Sequence, residues 1–148
     1  MEKVQVMEPV QATESVLTIQ QMAQATGLSA HTLRYYERAG LMSQHVGRDD
    51  ANGYRTYTTQ HIRWIEFIKR LRSTGMPIRD IQLYTELLRQ GQQTMPERIQ
   101  LLKQHRDHVE EHLREVEQHL TAINTKIEHY EQQYVQNYMV NCGEDLTV

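Results

Sequence analysis

The chain has 148 residues, 24% of them charged, with a formal net charge of −3. That length allows one or two small domains with a modest core; no apolar run approaches the ~20 residues needed to span a bilayer. The start lacks a basic region followed by an apolar block, so no secretory signal is expected and a cytoplasmic address is.

The net charge conceals an asymmetry. Residues 18 to 79 carry nine Lys or Arg against four Asp or Glu, whereas residues 80 to 148 carry six against twelve. By charge the front half suits a polyanion and the back half repels one.

Residues 1–16 are polar, lack periodicity and contain Pro9, which predicts a mobile arm. A short helix then runs from Thr18 towards Thr26, with Thr18 and Gln21 spaced as a capping box and Gly27 placed where a helix stops. Ser29 caps a second helix that carries His31, Thr32, Arg34, Tyr35 and Arg38 and closes at Gly40 and Leu41. Two short helices joined by a tight Gly-containing turn describe a helix-turn-helix. Met42 to Tyr57 form a basic ribbon, and its Asn52-Gly53 pair suits a type I′ hairpin turn.

A third helix is predicted from Thr59 to Ser73. Its Trp64, Phe67, Ile68 and Leu71 share an apolar side that forms the core of the small domain, while Arg63, Glu66 and Arg70 occupy another side. Pro77 opens a fourth helix with Ile78, Ile81, Leu87 and Leu88 on its buried side, ending at Gly91. After a polar hinge, Thr94 and Glu97 are spaced as a capping box, with Pro96 in the first turn of a new helix.

From Ile99 the heptad sites read Ile99, Leu102, Arg106, Val109, Leu113, Val116, Leu120, Ile123, Ile127, Tyr130 and Tyr134. All but Arg106 are apolar or aromatic, which is a coiled-coil seam. A helix with one such stripe and no other domain to cover it needs a partner, so a two-fold homodimer is expected. The e sites are mainly acidic and the g sites include His105, His112, His119 and Lys126, a pattern that suits parallel strands.

Leu17-Thr18-Ile19, Thr26-Gly27-Leu28-Ser29, Thr32-Leu33-Arg34-Tyr35-Tyr36-Glu37, Gly40-Leu41 and Asn52-Gly53-Tyr54-Arg55-Thr56-Tyr57 together resemble the mercury-resistance regulator (MerR) family of transcription factors. The motifs cover about residues 17 to 90; the coiled coil matches in architecture. The resemblance implies a mainly α fold: a winged helix-turn-helix DNA-binding domain (17–91) with a small β-hairpin wing, a long dimerisation helix (94–134) and a C-terminal tail (135–148). It also implies an antiparallel dimer on promoter DNA, which it distorts in response to an effector so that RNA polymerase can engage. Arg34 and Tyr35 are implied to touch DNA, and Arg55 and Tyr57 to grip its backbone. Thr18, Ser29, His31 and Thr32 offer further polar groups, and Arg63 and Arg70 are additional phosphate candidates. Tyr36 stands between DNA contact and a core aromatic with its hydroxyl at the surface.

No phosphate-cradling glycine loop, paired nucleophile and base, or complete metal motif is present, so an enzyme is not expected, nor is a cofactor. Metal-sensing members of that family use cysteines at the start of the coiled coil and in the tail loop; here no cysteine precedes Cys142, and thiolate metal sensing is not expected. His105, His108 and His112 lie at i, i+3 and i+7, so a His-based metal-responsive regulator is one alternative to a solvated face. The preferred effector is a small organic or reactive molecule, with Tyr84, Leu87, Tyr134 and Tyr138 as candidate lining residues or, alternatively, packing at the dimer ends. An architectural or adaptor protein that recruits a partner through its coiled coil is the competing class of function.

Overall fold

The computed structural model describes residues 15–143, so the predicted arm, apart from Ser15 and Val16, lies outside the described residues. The fold is mainly helical: α1 (Ile19–Thr26), α2 (Ala30–Arg38), β1 (Gly47–Arg48), β2 (Arg55–Thr56), α3 (Thr59–Ser73), α4 (Ile78–Gln90), a 3-10 turn (Gln92–Thr94) and α5 (Met95–Gly143). Two compact units divide between Leu101 and Leu102.

In the first unit, α1 packs on α2 and α3, and α3 on α4. Met22, Leu33, Leu41, Ile65, Ile68 and Ile81 are all 1% exposed or less, each burial stabilising by about 1.5–3 kcal/mol. The buried side of α3 is centred on Ile65, Ile68 and Leu71 rather than on Trp64 and Phe67. Those two rings are half-buried and gather with Tyr84 of α4, Trp64 stacking on Tyr84 at 6.1 Å. The indole explains the rotation of that face: its Nε1 donates to the Leu41 carbonyl at 2.6 Å, so the ring must sit at the core's rim.

The wing is a two-stranded antiparallel hairpin pairing Gly47 with Thr56 and Arg48 with Arg55. Leu17 adds an isolated bridge, exchanging both backbone hydrogen bonds with Tyr57 at 2.8 and 2.9 Å and tying the entry to α1 onto the wing. The hairpin turn differs from the expected type I′, which needs positive φ at both central residues. Among the described residues no non-glycine has positive φ, and Gly53 alone in this turn has it, at +71°. The Asp49 carboxylate accepts from the backbone of Ala51 and Asn52, and the Gly53 N–H reaches the Asp49 carbonyl at 2.8 Å, which closes a longer loop.

The Thr94 hydroxyl is also used differently from the expected cap. It lies 2.5 Å from the Leu87 carbonyl and accepts from Nε of Arg98, itself only 7% exposed. This joint fixes the end of α4 to the start of α5 within the first unit.

The second unit is the rest of α5, which continues past Tyr134 to Gly143 because no proline or glycine interrupts it. Its seam is bare along the single chain: Leu113, Leu120 and Ile123 are 55%, 53% and 57% exposed. Beside the seam Arg114 pairs with Glu111, and Arg106, the charged site within it, turns to Asp107 and Glu110.

Candidate nucleic-acid interface

The second helix of the helix-turn-helix is set by its own sequence. The Ser29 hydroxyl accepts from the Thr32 N–H at 3.1 Å, and Leu33 and Tyr36 form the inward face. At the far end Gly40 has φ +72° and the Leu41 N–H returns to the Tyr36 carbonyl at 2.9 Å, which ends the helix abruptly. Three side chains from α3 and α4 hold the chain just after it: Trp64 to Leu41, Gln82 to the Ala39 carbonyl at 2.7 Å, and Arg89 to the Met42 carbonyl at 2.6 Å. Lys69 likewise donates to the Thr26 carbonyl, where α1 ends. A helix pinned at both ends is pre-organised, so docking it against a ligand costs little ordering entropy.

That leaves His31, Arg34, Tyr35 and Arg38 exposed, with Thr32 half-buried. Tyr36 takes the core alternative, at 8% exposure. Tyr57 is a clearer correction: it is 1% exposed and cannot grip a phosphate. Its backbone is paired to Leu17, and its ring meets the edge of His61 at 5.7 Å, one turn into α3. The buried hydroxyl has no hydrogen-bond partner among the described residues. Burial, and then the negative charge of Glu37, push its pKa above the ordinary tyrosine value.

Glu37, to which the sequence reading gave no role, joins α2 to the wing. Its Oε1 takes Nη2 of Arg48 at 2.7 Å and its Oε2 takes Nε of Arg55 at 2.5 Å. Burial alone would raise this carboxyl; hydrogen bonds from the two arginines and their charges outweigh it and hold the pKa below the usual carboxylate value. The local signal was present, since an acid on the inward side of a helix calls for a cationic partner, but nothing local identified the wing as its source.

Between the wing and the start of α1 lies a cleft of about 560 Å³, lined among others by Thr18, Ile19, Gln20, Arg34, Asn52, Gly53, Tyr54 and Arg55. Thr18 spends its hydroxyl capping the Gln21 N–H at 3.2 Å. The cleft thus combines a helix N-terminus and two guanidinium groups with one carboxylate, that of Asp49, whose Oδ1 accepts from the Ala51 and Asn52 N–H groups; the surplus of donors and positive charge attracts phosphate oxygens. Among the described residues Arg34, Arg38, Arg63 and Arg70 make no ion pair, so their charges are available to a polyanion. Thr18, Arg34 and Arg55 come together in the cleft; Ser29, His31, Thr32 and Tyr35 lie on α2 outside its lining, and Arg63 and Arg70 are exposed on α3.

The effector candidates fall into separate groups. Tyr84 and Leu87 are half-buried on α4, whereas Tyr134 and Tyr138 are exposed and stack on each other at 6.5 Å in the second unit. Among the described residues no three His, Cys, Asp or Glu side chains converge as a metal site, and no helix is long and apolar enough to cross a membrane.

A helix-turn-helix whose second helix exposes Arg34 and Arg38, a hairpin wing tied back to that helix through Glu37 and a long helix after them define a winged helix-turn-helix protein of the DNA-binding type. Two family models match the chain: the MerR HTH family regulatory protein over residues 17–88 and the MerR DNA-binding region over 62–125. The chain is 42% identical over 93 residues to the HTH-type transcriptional regulator AdhR of Bacillus subtilis, covering 63% of this chain and 65% of that relative's length. It is 31% identical over 115 residues to an uncharacterised HTH-type transcriptional regulator of Haemophilus influenzae, covering 78% and 84%. The crystal structure of HiNmlR, a MerR family regulator lacking the sensor domain and bound to promoter DNA, superposes with a TM-score of 0.72 at 30% identity, over 80% of this chain and 92% of that one. The chain belongs to the MerR family of DNA-binding transcriptional regulators, which are not enzymes.

Proposed function

We propose that this regulator binds a specific promoter as an antiparallel homodimer and modulates transcription by distorting the DNA in response to an effector, a small organic or reactive molecule. The observation that carries the dimer is the seam of α5, whose apolar residues stand bare over many turns while its flanks carry their own ion pairs. Leaving such a stripe in water is costly, and a second copy covers it with an identical stripe. Two linked heads then meet successive turns of one duplex, and the DNA between them is bent or twisted at an energy offset by both sets of contacts. His31, Thr32, Arg34 and Tyr35 read the groove; Thr18, Ser29, Arg55, Arg63 and Arg70 hold the backbone. Polymerase is affected through the DNA, and the chain works in the cytoplasm. The HiNmlR complex supports the reading, because a relative of the same architecture is bound to promoter DNA.

Selection of bound duplexes from a random pool, with and without cell extract, combined with light scattering of the free protein, tests this. The expected result is one enriched sequence with two related half-sites, a dimeric mass at micromolar concentration, and affinity that falls steeply with salt. Uniform affinity for all duplexes at moderate salt would favour an architectural protein, and a monomeric mass would remove the basis of the two-headed mechanism.

A further inference from the structure

An acid on a helix that faces DNA repels the phosphates it approaches, so its presence calls for a reason. Glu37 is the sole acid of α2 (AHTLRYYER). Its side chain is only 22% exposed and is turned to the wing, with both carboxylate oxygens engaged.

The two arginines it holds are used differently. Arg48 has little freedom left: Nη2 is on Glu37, and Nη1 donates to the Gly47 carbonyl at 3.1 Å and the Val46 carbonyl at 3.3 Å. Arg55 touches Glu37 through Nε, and its two terminal NH2 groups have no hydrogen-bond partner among the described residues. Arg55 also lines the cleft beside the start of α1, as does Arg34, whose guanidinium has no ion pair. A guanidinium gripped at Nε is fixed in plane with its outer fork still open, the geometry that pairs with two phosphate oxygens.

We propose that Glu37 is a positioning residue for DNA recognition: by anchoring Arg48 and gripping Arg55 at Nε, it aims the open end of Arg55 beside Arg34 into the cleft, where the pair clamps a backbone phosphate. The clamp ties the wing to the reading helix, so the register of α2 in the groove depends on a phosphate held by the hairpin. This rests on the DNA-binding reading above.

The sign of one substitution separates this from simple electrostatics. Removing a negative charge from a DNA-facing surface strengthens binding if charge is all that matters, whereas Glu37→Gln frees Arg55 if the carboxylate aims it. The experiment measures the affinity of full-length wild type, Glu37→Gln, Arg55→Met and the double variant for the selected duplex and for a scrambled one. Glu37→Gln is expected to weaken the selected duplex about tenfold while leaving the scrambled duplex unchanged or slightly tighter. In the Arg55→Met background the same change is expected to have no weakening effect. Arg55→Lys, which keeps the charge but has no Nε grip or planar fork, gives a second route to the same loss should Glu37→Gln fail to fold. Equal or tighter binding of the selected duplex by a folded Glu37→Gln, full additivity with Arg55→Met, or unaltered specificity in Arg55→Lys overturns the proposal. Absence of any preferred duplex for the wild type would instead overturn the reading on which it rests.

Discussion

Replacing Tyr57 by phenylalanine separates a core role from a DNA-contacting one. The substitution keeps the ring, its edge contact with His61 at 5.7 Å and the backbone pairing with Leu17, and removes one oxygen. That oxygen is buried without a hydrogen-bond partner among the described residues. Leaving a hydroxyl in that state costs about 1–3 kcal/mol relative to solvating it, and the space vacated by a single oxygen returns part of the gain through lost dispersion contacts. The expected net effect is a stabilisation of about 0.5–1.5 kcal/mol, or a rise of roughly 2–6 °C in the unfolding midpoint for a protein of this size. Urea and thermal unfolding at one fixed protein concentration measure it, since dimerisation makes the midpoint depend on concentration. Affinity for the selected duplex is expected to stay within twofold of wild type. A loss of more than about 0.5 kcal/mol would show that the hydroxyl is satisfied in solution. A large fall in DNA affinity at unchanged stability would return Tyr57 to the interface and refute the burial argument.

Three further outcomes follow from the same structure. Leu120→Glu places a charge in the middle of the bare seam and is expected to shift the protein from dimer to monomer at micromolar concentration, read by light scattering, and to abolish binding to the two-half-site duplex; an unchanged mass would mean that the seam is not the interface. Thr18→Ala removes the hydroxyl half of the α1 capping box, leaving the residue-18 N–H on the Gln21 side chain, and should cost about 1 kcal/mol in urea unfolding, whereas a cost near zero would mean that α1 is held by packing and the remaining half. Because the folded-state pKa of Glu37 lies below its unfolded value, its ion pairs contribute fully above the ordinary glutamate pKa and fade as the pH falls through the folded one; the stability difference between wild type and Glu37→Gln should therefore be constant near neutral pH and shrink as the pH falls below the ordinary glutamate range, and a difference that does not change with pH would exclude the carboxylate as its source.

The parts of the fold legible in the sequence were those fixed within a few residues of chain. Thr18 and Gln21 form their capping box, Ser29 caps α2, Gly27 and Gly40 adopt positive φ where helices end, and α3 spans Thr59 to Ser73. Each rests on a backbone group that must be satisfied locally, so the residue type nearly determines the geometry. The errors occur where a segment had two options and a partner outside the motif, near or far in the chain, decided. Asn52-Gly53 fits a two-residue turn, but the Asp49 carboxylate captures two backbone N–H groups first and lengthens the loop. Trp64 and Phe67 fit a core stripe, but the indole N–H needs a carbonyl, and Leu41 supplies one only at the rim.

The same distinction bears on the interface. Charge counting marked the part of the chain that holds the helix-turn-helix by a surplus of cations, yet it could not divide those cations by task. Arg48, Arg55 and Lys69 are held by Glu37 and Glu66, so they set geometry before they attract anything, while Arg34, Arg38, Arg63 and Arg70 make no ion pair among the described residues. A sequence presents all seven as equivalent basic residues. What separates them is whether an acid from another element lies within hydrogen-bond reach, and that depends on how the wing folds back over α2. Long-range attraction therefore follows from composition, whereas the fine placement of a guanidinium against a phosphate follows from a tertiary contact. Specificity belongs to the second, because a cation free to wander binds every phosphate alike.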